Sequence, residues 1–329
     1  MSTDHIAVVG AGAFGTALAL VQAQNGAKSQ LDTPRITLWG RSAPDMALMQ
    51  NTRENPRHLP GVPLPGAITA TDDITQVAQA DVILLSIPTQ ALRGFLQTHG
   101  AAVKTATLVA CCKGVERGTG LLPTQIITDV LPGAKTAVLT GPSFAADIAR
   151  GKPTALTLAT ELPDGVALQE RLASPTMRLY LSNDPLGAQL GGALKNVIAL
   201  AAGMVIGADL GESARAALMT RGFAEITRLA AAQGAHPETL LGLSGFGDLI
   251  LTCSSEKSRN FSHGIRVAQG AGDTGGKTVE GVMTAHAVSE QGADMDLPVI
   301  HMVSALLKGT VTLSEAMDAL LQRPLKSER

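Results

Sequence analysis

Aromatic side chains are scarce in this chain: one Trp, one Tyr and six Phe, 2% of 329 residues. A core of any size must therefore be built from Ala, Val, Leu, Ile and Met, with Ala and Gly allowing close packing of helices on a sheet or on one another. Cysteine is scarce too. Cys111, Cys112 and Cys253 are odd in number and lack metal-ligand spacing, which argues against a disulfide framework and a zinc site. They read as buried free thiols, and a cytoplasmic setting follows as the default. The histidines at 5, 58, 99, 236, 263, 286 and 301 show no ligand spacing, so no metal is expected. An excess of charge of either sign is also missing. A net charge of −2 gives no global attraction to nucleic acid or to an anionic membrane, although a local basic site for a phosphate is compatible with it. The N-terminus passes from Asp4 and His5 straight into a strand pattern, without the basic and apolar segments of a signal peptide. The longest apolar stretch, Leu186 to Ile206, contains Gln189, Lys195 and Asn196. A membrane span rarely carries an unpaired Lys near its middle, so this stretch reads as a buried helix and no span is expected.

What is present is a long, apolar chain. Apolar residues make up 45% and charged residues 16%, and the length suits two domains. Ile6 to Val9 is a short apolar run bounded by glycine, as in a buried parallel strand. Thr16 to Asn25 has a helical pattern closed by Gly26, and Arg35 to Trp39 reads as a second strand, completing a βαβ unit. Ala43 to Gly66, rich in Pro, Asn and Arg, reads as mostly loop with a short helix. Further strands are expected at 80–88, 106–111, 137–140 and 155–159, with a helix over Thr89 to Thr98. The alternation predicts a doubly wound, mostly parallel sheet of Rossmann type. After about Leu181 strand patterns fade. Helices are expected at 186–206, 213–233, 237–241, 262–269, 279–291, 297–307 and 313–320. The fold class is therefore α/β with a second, mainly α-helical domain. The expected division is a sheet domain over residues 1–187 and a helical domain over residues 188–329.

The turn Gly10-Ala11-Gly12-Ala13-Phe14-Gly15 follows a strand and opens a helix. In that context the GxGxxG pattern predicts a dinucleotide site. Gly10 permits the tight turn, Gly12 admits the pyrophosphate, and Gly15 lets helix and strand approach. The helix N-terminus faces the phosphates with free N–H groups. An NAD-specific site usually ends its second strand in an acid that holds the ribose diol. Here that strand ends Trp39-Gly40-Arg41, and Arg41 offers a partner for the 2′-phosphate of NADP. NADP and NAD are both candidate cofactors.

Four more segments place reactive residues in apolar settings: Cys111-Cys112-Lys113-Gly114, Gly141-Pro142-Ser143-Phe144-Ala145, Gly192 to Ala199 around Lys195, and Gly242 to Leu249 followed by Ser258-Arg259-Asn260. The first two stand at strand C-terminal ends, where ligands bind in such sheets. Lys195 lies in an Ala/Leu/Ile helix. Either it snorkels to the surface or burial lowers its pKa toward the range useful for acid/base work.

Taken with the opening turn, these segments resemble the bacterial, soluble NAD(P)-dependent sn-glycerol-3-phosphate dehydrogenases over nearly the whole chain, from Ile6 to about Leu320. GAGAFGTAL, the Lys of CCKGVE, GPSFA, GALKNVIALAAG, GLSGFGDLILTC and SRN occur in the family's order. The resemblance implies that Lys195 is the general acid/base and that Lys113 touches cofactor and substrate, with Asp248 completing the catalytic group. It implies substrate contacts at Gly141, Ser143, Asp248, Ser258, Arg259 and Asn260. Cofactor contacts are implied at Ala13, Phe14, Ala145, Arg259, Thr278 and Glu280, beside Gly10, Gly12, Gly15, Arg41 and Lys113. Ala13 departs from the Ser of many members and removes a hydroxyl contact. The implied reaction is reversible hydride transfer between NAD(P)H and dihydroxyacetone phosphate, yielding sn-glycerol 3-phosphate for phospholipid synthesis. Asp248 is expected either to orient Lys195 or to hold a substrate hydroxyl.

Two other readings compete. One is a dehydrogenase of similar architecture acting on a 3-hydroxy acid, ketopantoate or a sugar acid; SRN after GDL favours a phosphate over a carboxylate. The other is a non-catalytic NAD(P)-binding sensor, which has no need for two titratable amines. The apolar helices of the second half suit either a homodimer face or a core, and periodicity does not separate these.

Overall fold

The computed structural model describes residues 5–24, 34–271 and 279–321. Its strands are β1 (His5–Val9), β2 (Arg35–Trp39), β3 (Glu54–Asn55), β4 (Leu59–Pro63), β5 (Ile68–Thr71), β6 (Val82–Leu85), β7 (Thr107–Ala110), β8 (Lys135–Thr140), β9 (Thr154–Ala159) and β10 (Met177–Ser182). Eight of them form one sheet in the order β10-β9-β8-β7-β6-β1-β2-β5, and β3 pairs with β4 in a small antiparallel hairpin. The helices that cover the sheet or join its strands are α1 (Ala13–Ala23), α2 (Ala43–Thr52), α3 (Ile74–Val77), α4 (Thr89–Val103), α5 (Pro123–Val130), α6 (Ala145–Ala149) and α7 (Gly165–Leu172).

Strand alternation builds two cores at once. Ile6, Val8, Ile36 and Leu38 face one layer with Leu18 and Val21 of α1. Ala7, Val9, Ile83 and Leu85 face the other, against Leu92 and Leu96 of α4 and Ile126 of α5. Both faces are covered, which is why these strands read as unbroken apolar runs. Within the sheet every pairing is parallel except β8 with β9. The link between those two strands holds only the five-residue α6, too short a helix to cross the sheet and return parallel.

Beyond Ser182 helices take over: α8 (Pro185–Gly207), α9 (Gly211–Ala232), α10 (Pro237–Leu241), a π-helical turn (Leu243–Gly247), α11 (Asp248–Cys253), α12 (Arg259–Ala268), α13 (Glu280–Gln291), α14 (Pro298–Lys308) and α15 (Leu313–Leu321). The Asp184 carboxylate caps α8 by accepting from Gly187 N at 2.8 Å and also accepts from His236 N at 3.0 Å. By length and composition α8 resembles a membrane span, yet 83% of its most apolar window is buried. Ala193, Leu194, Val197, Ile198 and Leu200 form the centre of the helical core, as expected for a core helix.

Several segments differ from expectation. Ala43 to Gly66 holds the ten-residue α2 and the β3–β4 hairpin rather than mostly loop. Asn55 anchors that hairpin by donating to Ala11 O at 3.0 Å and to Thr16 Oγ1 at 2.8 Å. β5 and β10 stand outside the expected strands; β10 alternates buried and exposed residues because it lies at the sheet edge. α1 begins at Ala13, inside the glycine turn, while Asn25 and Gly26 lie outside the described residues. α4 continues to Val103, and β7 stops at Ala110, leaving Cys111 and Cys112 as buried thiols just past its end.

Candidate active site

The glycine turn has the shape of a phosphate cradle. Gly10 has φ +111°, and a Cβ there would lie 2.6 Å from Ser86 O. A Cβ on Gly15 would lie 1.9 Å from Gly10 O, so helix and strand meet only because it is glycine. Nothing stands within 4 Å of a Cβ on Gly12, leaving that side of the turn open. α1 has neither a side-chain cap nor an acidic residue in its first turn, so its leading N–H groups are available to an anion. Ala13 and Phe14 open α1, and Ala145 opens α6, which packs against α1. These residues fit a bound dinucleotide. Arg41 is exposed just past β2 and has no hydrogen bond or ion pair among the described residues.

The sheet's C-terminal edge and the helical core meet at a chain of charges. Lys113, three residues past β7, donates to Asp248 Oδ2 at 2.6 Å and to Gly141 O at 3.1 Å. Lys195, on α8, donates to Asp248 Oδ1 at 2.6 Å and to Thr252 Oγ1 at 2.5 Å. Asp248 is 1% exposed, so both of its oxygens are spent on the two ammonium groups. Two glycines make this approach feasible. A Cβ on Gly191 would lie 2.8 Å from Ser244 O, and one on Gly192 would lie 2.8 Å from Thr140 Oγ1. They stand four and three residues before Lys195, on its face of α8. The π-helical turn, closed by Gly247 N donating to Gly242 O at 3.1 Å, leads directly into Asp248 at the start of α11.

Burial lowers the Lys195 pKa to about 8; Asp248 opposes that shift and Lys113 adds to it. Lys195 is thus buried and paired, not snorkelling. Glu280 opens α13, and burial raises its pKa while Arg259, Lys113 and Lys195 oppose the rise. Its electrostatic partners place it with the site. Arg259 is exposed at the first turn of α12 and is near enough to His58, beside the hairpin, to influence its charge. Ser258 caps α12 by accepting from Phe261 N at 3.3 Å. Asn260 donates to Asn196 Oδ1 at 2.9 Å and accepts from Gly281 N at 3.0 Å, tying α12 to α8 and α13. The side chains of Ser258 and Asn260 are therefore partly occupied by structural bonds. Ser143 Oγ donates to Gly141 O at 3.1 Å, beside Lys113. Thr278 lies outside the described residues.

Thr252 was not among the expected residues. Its signal was its position one helical turn after Asp248, which lets one helix face present an acid and a hydroxyl to the same amine. Asn55 gave no comparable signal, because its partners lie more than 35 residues away in the glycine turn.

The chain is similar to known proteins along nearly its whole length. Residues 5–165 match the model of the NAD-dependent glycerol-3-phosphate dehydrogenase N-terminus, and residues 184–318 match that of its C-terminus. The chain is 54% identical to a glycerol-3-phosphate dehydrogenase [NAD(P)+] of Ruegeria sp. (strain TM1040), covering 98% of this chain and 99% of that one. It is 52% identical to the same enzyme of Cereibacter sphaeroides, over 98% and 100% of the two chains. The crystal structure of glycerol-3-phosphate dehydrogenase from Coxiella burnetii superposes with a TM-score of 0.90 at 32% identity, over 98% of this chain and all of that one. On these matches, the chain belongs to the NAD-dependent glycerol-3-phosphate dehydrogenase family.

Proposed function

We propose that the chain catalyses reversible hydride transfer between NAD(P)H and dihydroxyacetone phosphate, giving sn-glycerol 3-phosphate, with Lys195 as general acid/base. The observation that carries this reading is the buried Lys113–Asp248–Lys195 chain at the C-terminal edge of the sheet, the edge on which the glycine turn also stands. A nicotinamide cofactor held at the glycine turn would supply or accept the hydride. As the substrate ketone is reduced, negative charge grows on its oxygen, and the Lys195 ammonium stabilises that charge and delivers a proton. Two of its three N–H groups are engaged by Asp248 and Thr252, which leaves one for the substrate. In the oxidation direction neutral Lys195 accepts the proton. A pKa of about 8 makes both forms accessible near neutral pH. Asp248 acts as counter-ion and orienter of both lysines in this scheme. Lys113, Gly141 and Ser143 line one side of the substrate, and Arg259, with Ser258 and Asn260, receives its phosphate.

The site divides between residues 1–187 and 188–329; the change from sheet to helices, with β10 ending at Ser182 and α8 beginning at Pro185, supports a division within a few residues of that point. Arg41 favours NADP, because no acid stands at the end of β2. The Glu280 position and Ala145 serve the cofactor beside the glycine turn. The product feeds phospholipid synthesis in the cytoplasm, a setting that the buried free thiols suit. Exposed Leu241, Phe246 and Ile250 on the helical half support assembly as a homodimer. Following nicotinamide absorbance with dihydroxyacetone phosphate, using NADH and NADPH in parallel, tests the activity. Lys195→Ala should remove most turnover and leave cofactor binding intact; wild-type turnover in that variant would refute the assignment.

A further inference from the structure

Lys113 sits on a loop, residues 111–122, whose own sequence does little to fix its direction. Gly114, Gly118 and Gly120 hold φ of +144°, +83° and +72°, conformations that cost glycine little and leave the backbone permissive. The loop is held from outside by α4. Gln90 Nε2 donates to Val115 O at 2.8 Å, and its Oε1 accepts from Arg117 N at 3.0 Å. Three residues on, along the same helix face, Arg93 offers its planar fork to Glu116: Nε to Oε1 and Nη2 to Oε2, both at 2.9 Å. Its Nη1 donates to Asp129 Oδ2 of α5 at 2.6 Å. Thr119 Oγ1 adds a bond to Glu116 Oε2 at 2.5 Å. The Glu116 side chain is 9% exposed, so the fork clamps a nearly buried carboxylate. Within the loop, Gly120 N donates to Glu116 O and Glu116 N to Leu121 O, both at 2.9 Å, so the clamp at Glu116 reaches the whole turn. Beside Gly114, the hydroxyl oxygens of Thr89 of α4 and Thr284 of α13 stand 3.3 and 3.5 Å from where a Cβ would be.

The geometry points to Gln90 and Arg93 as positioning residues that aim Lys113 at the reaction centre. This inference rests on the assignment of Lys113 to that centre. Neither residue was expected from the sequence. The Lys113 ammonium must meet Gly141 O and Asp248 Oδ2 together, and a displacement of about 1 Å at such a site costs on the order of a hundredfold in rate. The charges and titratable groups that act on Lys195 are Asp248 and Cys253 of α11, Lys113 of the loop, and Glu280 of α13. If Lys113 swings away, Lys195 loses a neighbouring positive charge and gains a larger share of Asp248. Both changes favour its protonated form.

The test compares Gln90→Leu and Arg93→Lys with Lys113→Ala and with Gln97→Leu, a control on the exposed face of α4. Readouts are thermal melting, kcat, KM for each substrate, and the pH profile of glycerol 3-phosphate oxidation. Gln90→Leu and Arg93→Lys should each lower kcat about tenfold with cofactor KM within about twofold of wild type. Each should also move the limb at which Lys195 becomes neutral up by about half a pH unit. Gln97→Leu should match wild type. Folded Gln90→Leu and Arg93→Lys variants with wild-type kcat and limb, beside a slow Lys113→Ala, overturn the positioning role. A fall in kcat with no movement of the limb also overturns it, since general loosening would do the same. Wild-type behaviour in Lys113→Ala instead removes Lys113 from the centre, and the inference with it. Gln90→Glu, which keeps the acceptor to Arg117 and loses the donor to Val115, replaces any variant that fails to fold.

Discussion

Replacing Asp248 with Asn removes the only negative charge among the described residues that directly bonds the two lysines, while preserving size. Each carboxylate oxygen holds one ammonium at 2.6 Å. At an effective dielectric of about 20, a unit charge pair at about 4 Å is worth roughly 4 kcal/mol, or about three pKa units. Asp248 divides its charge between two lysines, so the loss felt by Lys195 is on the order of one to two units. The sign follows from the causes. Burial and Lys113 push the Lys195 pKa down and Asp248 pushes it up, so removing Asp248 sends it below its present value of about 8. The limb of the oxidation profile at which Lys195 becomes neutral should then move to lower pH. In the reduction direction at pH 7, the protonated fraction falls about fourfold if the pKa drops by about 1.5 units. Lost orientation of the two amines adds about ten- to a hundredfold to the fall in kcat. Steady-state profiles in both directions with the Asn variant measure this, with a melting curve to show that it folds. A limb that stays in place or moves up, or reduction at wild-type rate near pH 7, would show that Asp248 is not the counter-ion that the geometry describes.

Gly191→Ala places a methyl 2.8 Å from Ser244 O and 2.9 Å from the Gly245 Cα, both backbone atoms, so the π-helical turn must shift. It should cost about 1–3 kcal/mol of stability and lower kcat at least about tenfold by moving Asp248, checked by thermal melting and turnover. Arg41→Ala should raise the KM for NADPH about tenfold or more and leave that for NADH nearly unchanged; equal effects on both would remove Arg41 from the 2′-phosphate site. Glu225 is buried on α9 and accepts from Val299 N and Ile300 N at the start of α14, yet burial raises its pKa to about 7. The folded state therefore holds its proton where the unfolded chain has released it. Stability should fall by roughly 3 kcal/mol as pH rises from about 4.5 to 7, and Glu225→Gln should flatten that slope in denaturant titrations.

Legibility in the sequence followed the range of the interactions concerned. The βαβ opening and the glycine turn were readable because strand alternation, helix period and turn chemistry act within a few residues. The helix around Lys195 was readable for the same reason. Where local composition pointed the other way, tertiary contacts prevailed. Pro, Asn and Arg between Ala43 and Gly66 suggested loop, but Ser42 caps α2 and Asn55 fastens the following hairpin to Ala11 and Thr16. The tie that Asn260 makes between three helices was not legible, because its partners Asn196 and Gly281 lie 64 and 21 residues away.

By itself the sequence determined the kind of chemistry: a dinucleotide turn, two lysines in apolar surroundings and an acid after a glycine-rich segment, each marked by its immediate neighbours. Only the tertiary structure decided how these parts serve one another. Asp248 meets Lys195 across 53 residues and Lys113 across 135. No local periodicity encodes such pairings. They arise because Gly191 and Gly192 let the π-helical turn before Asp248 and the end of β8 close on one face of α8, and burial there gives the two amines a single shared carboxylate.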